Sequence, residues 1–276
     1  LGHGAGVLVD FCQLGYLSRK DLTSAERDET VKQNDTGLIG DISGALRLLT
    51  RLPMPASERI AGPRAAWAWP LAGAVVGGLA ALLGFVALPL GAGVAAALVL
   101  GAQAMMTGAM HEDGLADTAD GLWGGWEPAR RLEIMKDSHI GTYGVMALLV
   151  LGLVRWSAIA TLLTGGVWWG LIAVAVLSRA PMAVLMTAMP NARGKGLAQS
   201  VGQVPQTSAD IAVMIGLAAA GCLGWSGLWM VLATAMVVLA LALVARAKIG
   251  GQTGDILGAS QQLAEAAGLV VLAATL

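Results

Sequence analysis

Residues 66–88 read AWAWPLAGAVVGGLAALLGFVAL, an unbroken run without a charged side chain. About 20 predominantly apolar residues carry a helix across the hydrocarbon core of a bilayer, so this stretch is long enough to span it. Further apolar runs follow at roughly 92–110, 143–163, 167–189, 209–223, 227–245 and 261–276. The runs at 209–223 and 261–276 are short enough to be half-buried or re-entrant instead. Composition points the same way: 56% of the 276 residues are hydrophobic and 13% charged, and the mean hydropathy is +0.70, far from an ordinary soluble domain. The pattern predicts an all-α, polytopic membrane helix bundle of about seven spans. Gly73 and Gly77 give the first span a small-xxx-small face for close helix contact, although a merely short-side-chain helix fits equally well.

Charge placement gives the orientation. With the N-terminus in the cytoplasm and seven spans threaded, fifteen of the seventeen Lys and Arg fall before the first span or in the inner loops 111–142, 190–208 and 246–260. The other two, Arg155 and Arg179, lie inside spans, and the outer turns near 90, 165 and 225 carry no charge. That is the positive-inside pattern. Trp168, Trp169, Trp225 and Trp229 then fall near the outer interface and Trp67 and Trp69 near the inner one, as aromatic belts require. A net charge of -1 offers no basic surface for nucleic acid. Cys12 and Cys222, far apart and without metal-ligand spacing, are expected to be free thiols.

Residues 1–37 are polar, carry no signal-peptide pattern, and are expected to be an unordered extension. The segment LIGDISGALRLLTRLPMP (38–55) is amphipathic, with Leu38, Ile42, Leu46 and Leu49 on one face and Pro53 as its stop. Residues 38–276 are read as one integral membrane catalytic domain.

The longest inner loop opens with HEDGLADTADGLWGG (111–125), which places Glu112, Asp113, Asp117 and Asp120 within nine positions. In a helix, Asp113, Asp117 and Asp120 stand at i, i+4 and i+7, within roughly 60° of one another around the axis. Like charges at that spacing repel, and no basic residue intervenes. A cation is the natural partner, and oxygen-only ligands select a hard divalent ion such as Mg2+, which shares phosphate oxygens of a substrate. The plainer alternative is an acidic solvated turn. On the same side, RRLEIMKDSHIGTYG (130–144) adds Lys136 and Asp137, with Gly141 and Gly144 permitting close backbone approach to a ligand. The turn holding Asn191, Arg193, Gly194, Lys195 and Gly196 suits a diphosphate or nucleotide, or simple anchoring. KIGGQTGDILGA (248–259) surrounds Asp255 with glycines whose amides can face an anion.

Ionisable residues inside spans cost about 2.5 to 3.5 kcal/mol at a helix centre on insertion scales, so they face a partner or a cavity. Arg179 and Glu265 are expected either to line one polar pocket beneath the acidic loop or to pair with each other, whereas Arg155 has no evident acidic partner. His111 and His139 can relay protons or serve as hydrogen-bonding groups.

Four ordered motifs, HEDGLADTADG (111–121), EIMKDSHIGTYG (133–144), LSRAPM (177–182) and GGQTGDILGA (250–259) with Glu265 beyond it, resemble the cobalamin synthase (adenosylcobinamide-GDP ribazoletransferase) family. The likeness runs from about Leu46 to the C-terminus. It implies a Mg2+-dependent enzyme of the bacterial inner membrane, its active site facing the cytoplasm, that joins adenosylcobinamide-GDP to alpha-ribazole or its 5'-phosphate and releases GMP. On that basis Glu112, Asp113, Asp117 and Asp120 are the expected metal ligands, and Asp117, Asp120 or Asp137 the catalytic carboxylates, with Asp120 or Asp137 as base. Arg179, Arg193, Lys195, Lys136, Gly141, Gly144, Asp255, Glu265 and His111 are the expected substrate contacts. A homo-oligomer and a complex with other corrinoid-assembly proteins both remain open. Membrane alcohol phosphotransferases of lipid synthesis also cluster Asp and Gly beside a span, but DGLADTADG (113–121) does not have their spacing. An ion-coupled transporter would distribute polar groups across the bilayer, whereas here they crowd one side.

Overall fold

The computed structural model describes residues 37–54 and 62–276. The extension expected over residues 1–37, and Cys12 with it, lies outside the described residues apart from Gly37.

Among the described residues the regular structure is helical, which satisfies backbone hydrogen bonds internally as a bilayer demands. In chain order the helices are α1 (Gly37–Leu49), α2 (Trp69–Ala87), α3 (Ala92–Thr107), α4 (Met110–Gly124), α5 (Pro128–Ile134), α6 (Thr142–Thr164), α7 (Gly170–Leu177), α8 (Ala180–Ala188), α9 (Leu197–Val201), α10 (Gln206–Gly221), α11 (Trp225–Ile249) and α12 (Gly254–Ala274). Short 3-10 turns, Pro63–Ala68 and Leu88–Leu90, extend α2 at both ends.

Among the described residues, five stretches are long and apolar enough to cross a membrane: Pro63–Leu90, Thr142–Thr164, Gly170–Ala188, Trp225–Ile249 and Gly254–Ala274. The expected spans at 92–110 and 209–223 appear as α3 and α10, each 16 residues. At a 1.5 Å rise these are about 24 Å long, short of a core about 30 Å thick. α3 and α4 would make a sixth span only as a broken one, since they meet at 91°. The cause of the break is local: Gly108 and Ala109 both adopt left-handed backbone, φ 66° and 54°, which no α-helix can continue through. The seventh run, expected to be short, is a full 21-residue helix, because the polar stretch GDILGASQQLAE that precedes its apolar part is helical as well.

α12 is the hub, with α4, α6, α7, α8 and α11 all packed against it. Its polar side chains Ser260, Gln261, Gln262 and Glu265 are buried. α6 and α11 instead turn large apolar residues outward, among them Leu149, Leu153, Leu232, Met236 and Leu239, the faces a lipid solvent would cover. Gly73 and Gly77 do make a close helix contact: a Cβ on Gly73 would lie 2.2 Å from the Ala175 carbonyl oxygen, and one on Gly77 2.6 Å from the Ala175 Cβ. α2 therefore seats directly on α7.

Trp168, Trp169, Trp225 and Trp229 are exposed at the α6–α7 and α10–α11 turns, but Trp69 is buried. Trp67 donates to the Asp41 carboxylate of α1 at 2.8 Å. The two tryptophans expected at the inner interface thus fasten α1 and α2 into the bundle. In α1, Leu49 is buried while Leu38 is exposed, so its apolar face docks only from Ile42 onward. Cys222 is a free, exposed thiol.

Candidate active site at the start of α12

Two glycines create the site. A Cβ on Gly114 would stand 2.8 Å from the Asp255 carbonyl oxygen, and one on Gly258 3.3 Å from the Cα atoms of Gly114 and His111. α4 and α12 therefore touch backbone to backbone. The pairing of 111 with 258 and of 114 with 255 makes them antiparallel, so α4 starts deep in the bundle and rises past the first turn of α12.

That contact separates the four carboxylates of α4 into different surroundings. Asp113 is exposed and Asp117 half-buried, and both are close enough to Asp255 for their charges to interact. Burial, then the neighbouring Asp113 and Asp255, push the Asp117 carboxyl up to about 7, against a smaller opposing effect of Arg193. The rim therefore has surplus negative charge. The Arg193 guanidinium binds the Asp255 carboxylate at 2.7 Å, and Thr253 Oγ1 donates to the same oxygen at 3.2 Å. Two loops read separately as phosphate-binding candidates are joined here: Gln252 N donates to the Pro190 carbonyl and Ala192 N to the Gln252 carbonyl, each at 2.9 Å. Lys195 is exposed on the same turn as Arg193.

Asp120 has a different task. Its carboxylate accepts the amides of Gly141 at 2.7 Å and Gly144 at 2.9 Å, the N-cap and third residue of α6. A Cβ on either glycine would lie 2.4 Å from that carboxylate. The close approach foreseen for Gly141 and Gly144 is thus an approach to Asp120, which caps α6 from another helix. Asp137 and Lys136 are exposed on the loop after α5. Asp137 accepts the His139 amide and pairs with its Nδ1 at 2.7 Å. Those hydrogen bonds hold the Asp137 carboxyl below the usual carboxylate range and the imidazole above its own.

Glu112 faces inward, into a buried polar network whose α12 members, Gln261, Gln262 and Glu265, lie about 9 to 15 Å along the helix from Asp255 at helical rise. Arg155 is its centre. The guanidinium pairs with Glu265 at 2.7 Å and lies 3.6 Å from Glu112, and it donates to Gln103 at 3.0 Å and to Gln262. Gln262 also donates to Glu112 at 3.1 Å, and Gln261 to Glu265 and to Ser178. The expectation that Arg155 lacks an acidic partner is overturned, because that partner comes from a helix 110 residues away in sequence. Among the described residues no ion pair joins Arg179 to Glu265. Arg179 is buried and donates to the Ala175 carbonyl at 2.7 Å, at the break between α7 and α8. Its own amide bonds Val176 rather than Ala175, so the side chain takes up the carbonyl that the break in the helix releases. His111 is buried with its Nε2 unpartnered.

Sequence reasoning missed Gln103, Gln261 and Gln262. The signal was present, since amide side chains inside apolar runs must find partners. No three His, Cys, Asp or Glu residues among those described converge tightly enough to cage a metal ion. Mg2+ does not need such a cage: it keeps waters and takes one or two carboxylates together with substrate phosphate oxygens. Asp113 and Asp117, hard oxygen donors in a rim of excess negative charge, fit that mode.

Comparison with known proteins gives a consistent answer. The family described as cobalamin-5-phosphate synthase matches residues 41–273. An adenosylcobinamide-GDP ribazoletransferase from Brucella ovis is 42% identical over 253 residues, covering 86% of this chain and 97% of the relative. One from Bradyrhizobium diazoefficiens is 43% identical over 245 residues, covering 86% and 94%. No solved structure matches the chain.

Proposed function

The chain belongs to the cobalamin-5-phosphate synthase family, and from that premise we propose that it joins adenosylcobinamide-GDP to alpha-ribazole or its 5'-phosphate, with Mg2+, at the cytoplasmic face of a bacterial inner membrane. A ribose hydroxyl oxygen attacks the phosphorus nearest the corrinoid arm. The new P–O bond forms as the bond from that phosphorus to the bridging oxygen breaks, GMP leaves with that oxygen, and the hydroxyl proton is released.

The observation that carries this proposal is the meeting of Asp113, Asp117 and Asp255 with Arg193 at one end of the bundle. Asp113 and Asp117 would hold Mg2+, which when bound neutralises diphosphate oxygens and stabilises charge on the departing phosphate. Arg193 offers a planar donor fork to phosphate oxygens, and Lys195 a point charge beside it. Asp255 keeps Arg193 aimed across the first turn of α12. Asp120 acts one step removed by holding the start of α6 against α4. With both carboxylate oxygens already accepting amides, it is better suited to positioning than to the role of base. The Arg155 network fixes the depth at which α4 begins, and hence the place of Asp113 one residue beyond Glu112. Displacements of this kind depend chiefly on positioning and charge.

The lysines and arginines near the site support the cytoplasmic orientation, since basic loops stay inside. The test is GMP release by detergent-purified full chain given adenosylcobinamide-GDP and alpha-ribazole, with and without Mg2+. Formation of a cobalamin product only with metal supports the proposal. Consumption of a diacylglycerol nucleotide instead would move the chain to lipid synthesis.

A further inference from the structure

An apolar groove of about 430 Å3 lies between α8, α10 and α11 and shares no residue with the acidic rim or the Arg155 network. α8 and α11 flank it without packing closely on each other, whereas both pack on α10 and α12. The groove is the space left between two helices held by common neighbours. Val184 of α8, Leu217 of α10 and Leu239 and Leu243 of α11 line it and are exposed, so it opens sideways, where the bilayer would be. A gap of this kind forfeits dispersion contacts along its walls unless something apolar fills it.

One end of the groove is charged. Arg246, in the last turn of α11, lines the end on the side of the basic loops and is exposed. The basic residues near it are already engaged. Lys248 Nζ donates to the Leu122 carbonyl at 2.7 Å and stands 4.3 Å from the centre of the Trp123 ring. Arg131 donates to the Gly125 and Lys248 carbonyls, each at 2.9 Å. The Arg246 guanidinium makes no hydrogen bond or ion pair with the described residues. Thr234 is the other polar residue of the lining, and its hydroxyl is buried. From Arg246 to Ala235 the groove follows α11 for about 16 Å at helical rise, the depth of one leaflet of a hydrocarbon core about 30 Å thick.

We propose that the groove holds one acyl chain of an anionic phospholipid from the leaflet on the side of the basic loops, with the lipid phosphate on the Arg246 guanidinium. An apolar trench of one-leaflet depth that ends in an unpaired arginine matches a molecule carrying an apolar chain below a phosphate. The guanidinium offers paired donors to phosphate oxygens. A zwitterionic head group brings its own ammonium to compete for that phosphate, whereas a net anionic one leaves it to the arginine. A second copy of the chain fits less well, since the outward faces of α2, α6 and α11 contain no carboxylate to meet Arg246.

The test is native mass spectrometry of the full chain released from bilayers of mixed phosphatidylglycerol and phosphatidylcholine, which counts retained lipid without any turnover. The wild-type chain is expected to retain one phosphatidylglycerol with at least about tenfold preference over phosphatidylcholine, the order of one charge-assisted contact. Arg246→Gln should bring that preference to within about twofold. Arg130→Gln, which removes an exposed charge on α5, should leave it unchanged. Ala235→Trp, which places an indole in the groove from an exposed position, should abolish retention of that lipid. Equal retention of both lipids by the wild-type chain, an unchanged preference in Arg246→Gln, an equal loss in Arg130→Gln, or full retention by folded Ala235→Trp would overturn the proposal. A dimer that Ala235→Trp dissociates would give the groove to a second copy and overturn it too. Should Ala235→Trp not fold, the comparison of Arg246→Gln with Arg130→Gln decides. None of these outcomes depends on the transfer reaction.

Discussion

Glu112 and Asp113 are consecutive residues of one helix, yet they belong to two different regions. Glu112 lies in a network where Arg155, Glu265, Gln261, Gln262 and Gln103 bond to one another. Asp113 stands on a rim whose carboxylates outnumber its cations, the Arg193–Asp255 pair being the ion pair found there. In a bundle this apolar, paired charge builds the scaffold, and unpaired charge is left for a ligand to complete.

The largest expected effect comes from unbalancing the network. Glu265→Leu leaves the Arg155 guanidinium buried without its 2.7 Å partner, and breaking a buried pair from one side costs about 3–5 kcal/mol. Thermal unfolding in detergent should show a steep loss. The double variant Arg155→Met with Glu265→Leu should recover most of it, since removing both partners is often neutral. A double variant no more stable than the single would mean the network does more than balance charge.

Asp117→Asn sharpens the other half of the comparison. It should lower kcat at least about 100-fold, the scale of a lost electrostatic contribution to the transition state, yet leave the unfolding temperature unchanged or higher, because the carboxylate repelled by Asp113 and Asp255 is gone. A folded variant with near-normal turnover would remove Asp117 from the chemistry.

The sequence made the rim easier to find than the network. HEDGLADTADG concentrates its carboxylates locally, and an i, i+4, i+7 spacing follows from helix geometry alone. The network joins residues 103, 112, 155, 262 and 265, and no periodicity connects Arg155 to Glu265 across 110 positions. The same limit explains Asp120. Its spacing places it on the stripe with Asp113 and Asp117, but its partners are amides on a different helix. The spans were legible where apolar runs were continuous. They were misjudged where Gly108 and Ala109 reverse the backbone and where buried glutamines made α12 look too short.

Asp120→Ala should be a smaller version of the network effect. It deprives Gly141 and Gly144 of their acceptor, a lost cap worth about 1–2 kcal/mol. Activity should fall in proportion to displacement of α6. Asp120→Asn, which keeps one accepting oxygen, should retain more than about a tenth of wild-type turnover. If Asp120→Asn is instead as inactive as Asp117→Asn, Asp120 takes part in the chemistry directly.

The smallest effect tests whether the rim's unpaired charge is indeed for a metal ion. The Asp117 carboxyl, ordinarily near 3.8, is pushed up to about 7 by burial and by Asp113 and Asp255. A carboxyl raised in this way favours the folded state at low pH, and that contribution is lost as pH rises through 7. Mg2+ binds the deprotonated form and must displace a proton below that value. Its apparent affinity should therefore rise about tenfold between pH 6 and pH 8, following the deprotonated fraction of a group with a midpoint near 7. Unfolding temperatures with and without Mg2+ at pH 6, 7 and 8 would measure this without any turnover. The stabilisation by metal should grow with pH in the wild-type chain and stay flat in Asp117→Asn. A metal effect independent of pH, or one that the variant shares, would place the cation away from Asp117 and return Asp113 and its neighbours to the role of a solvated acidic face.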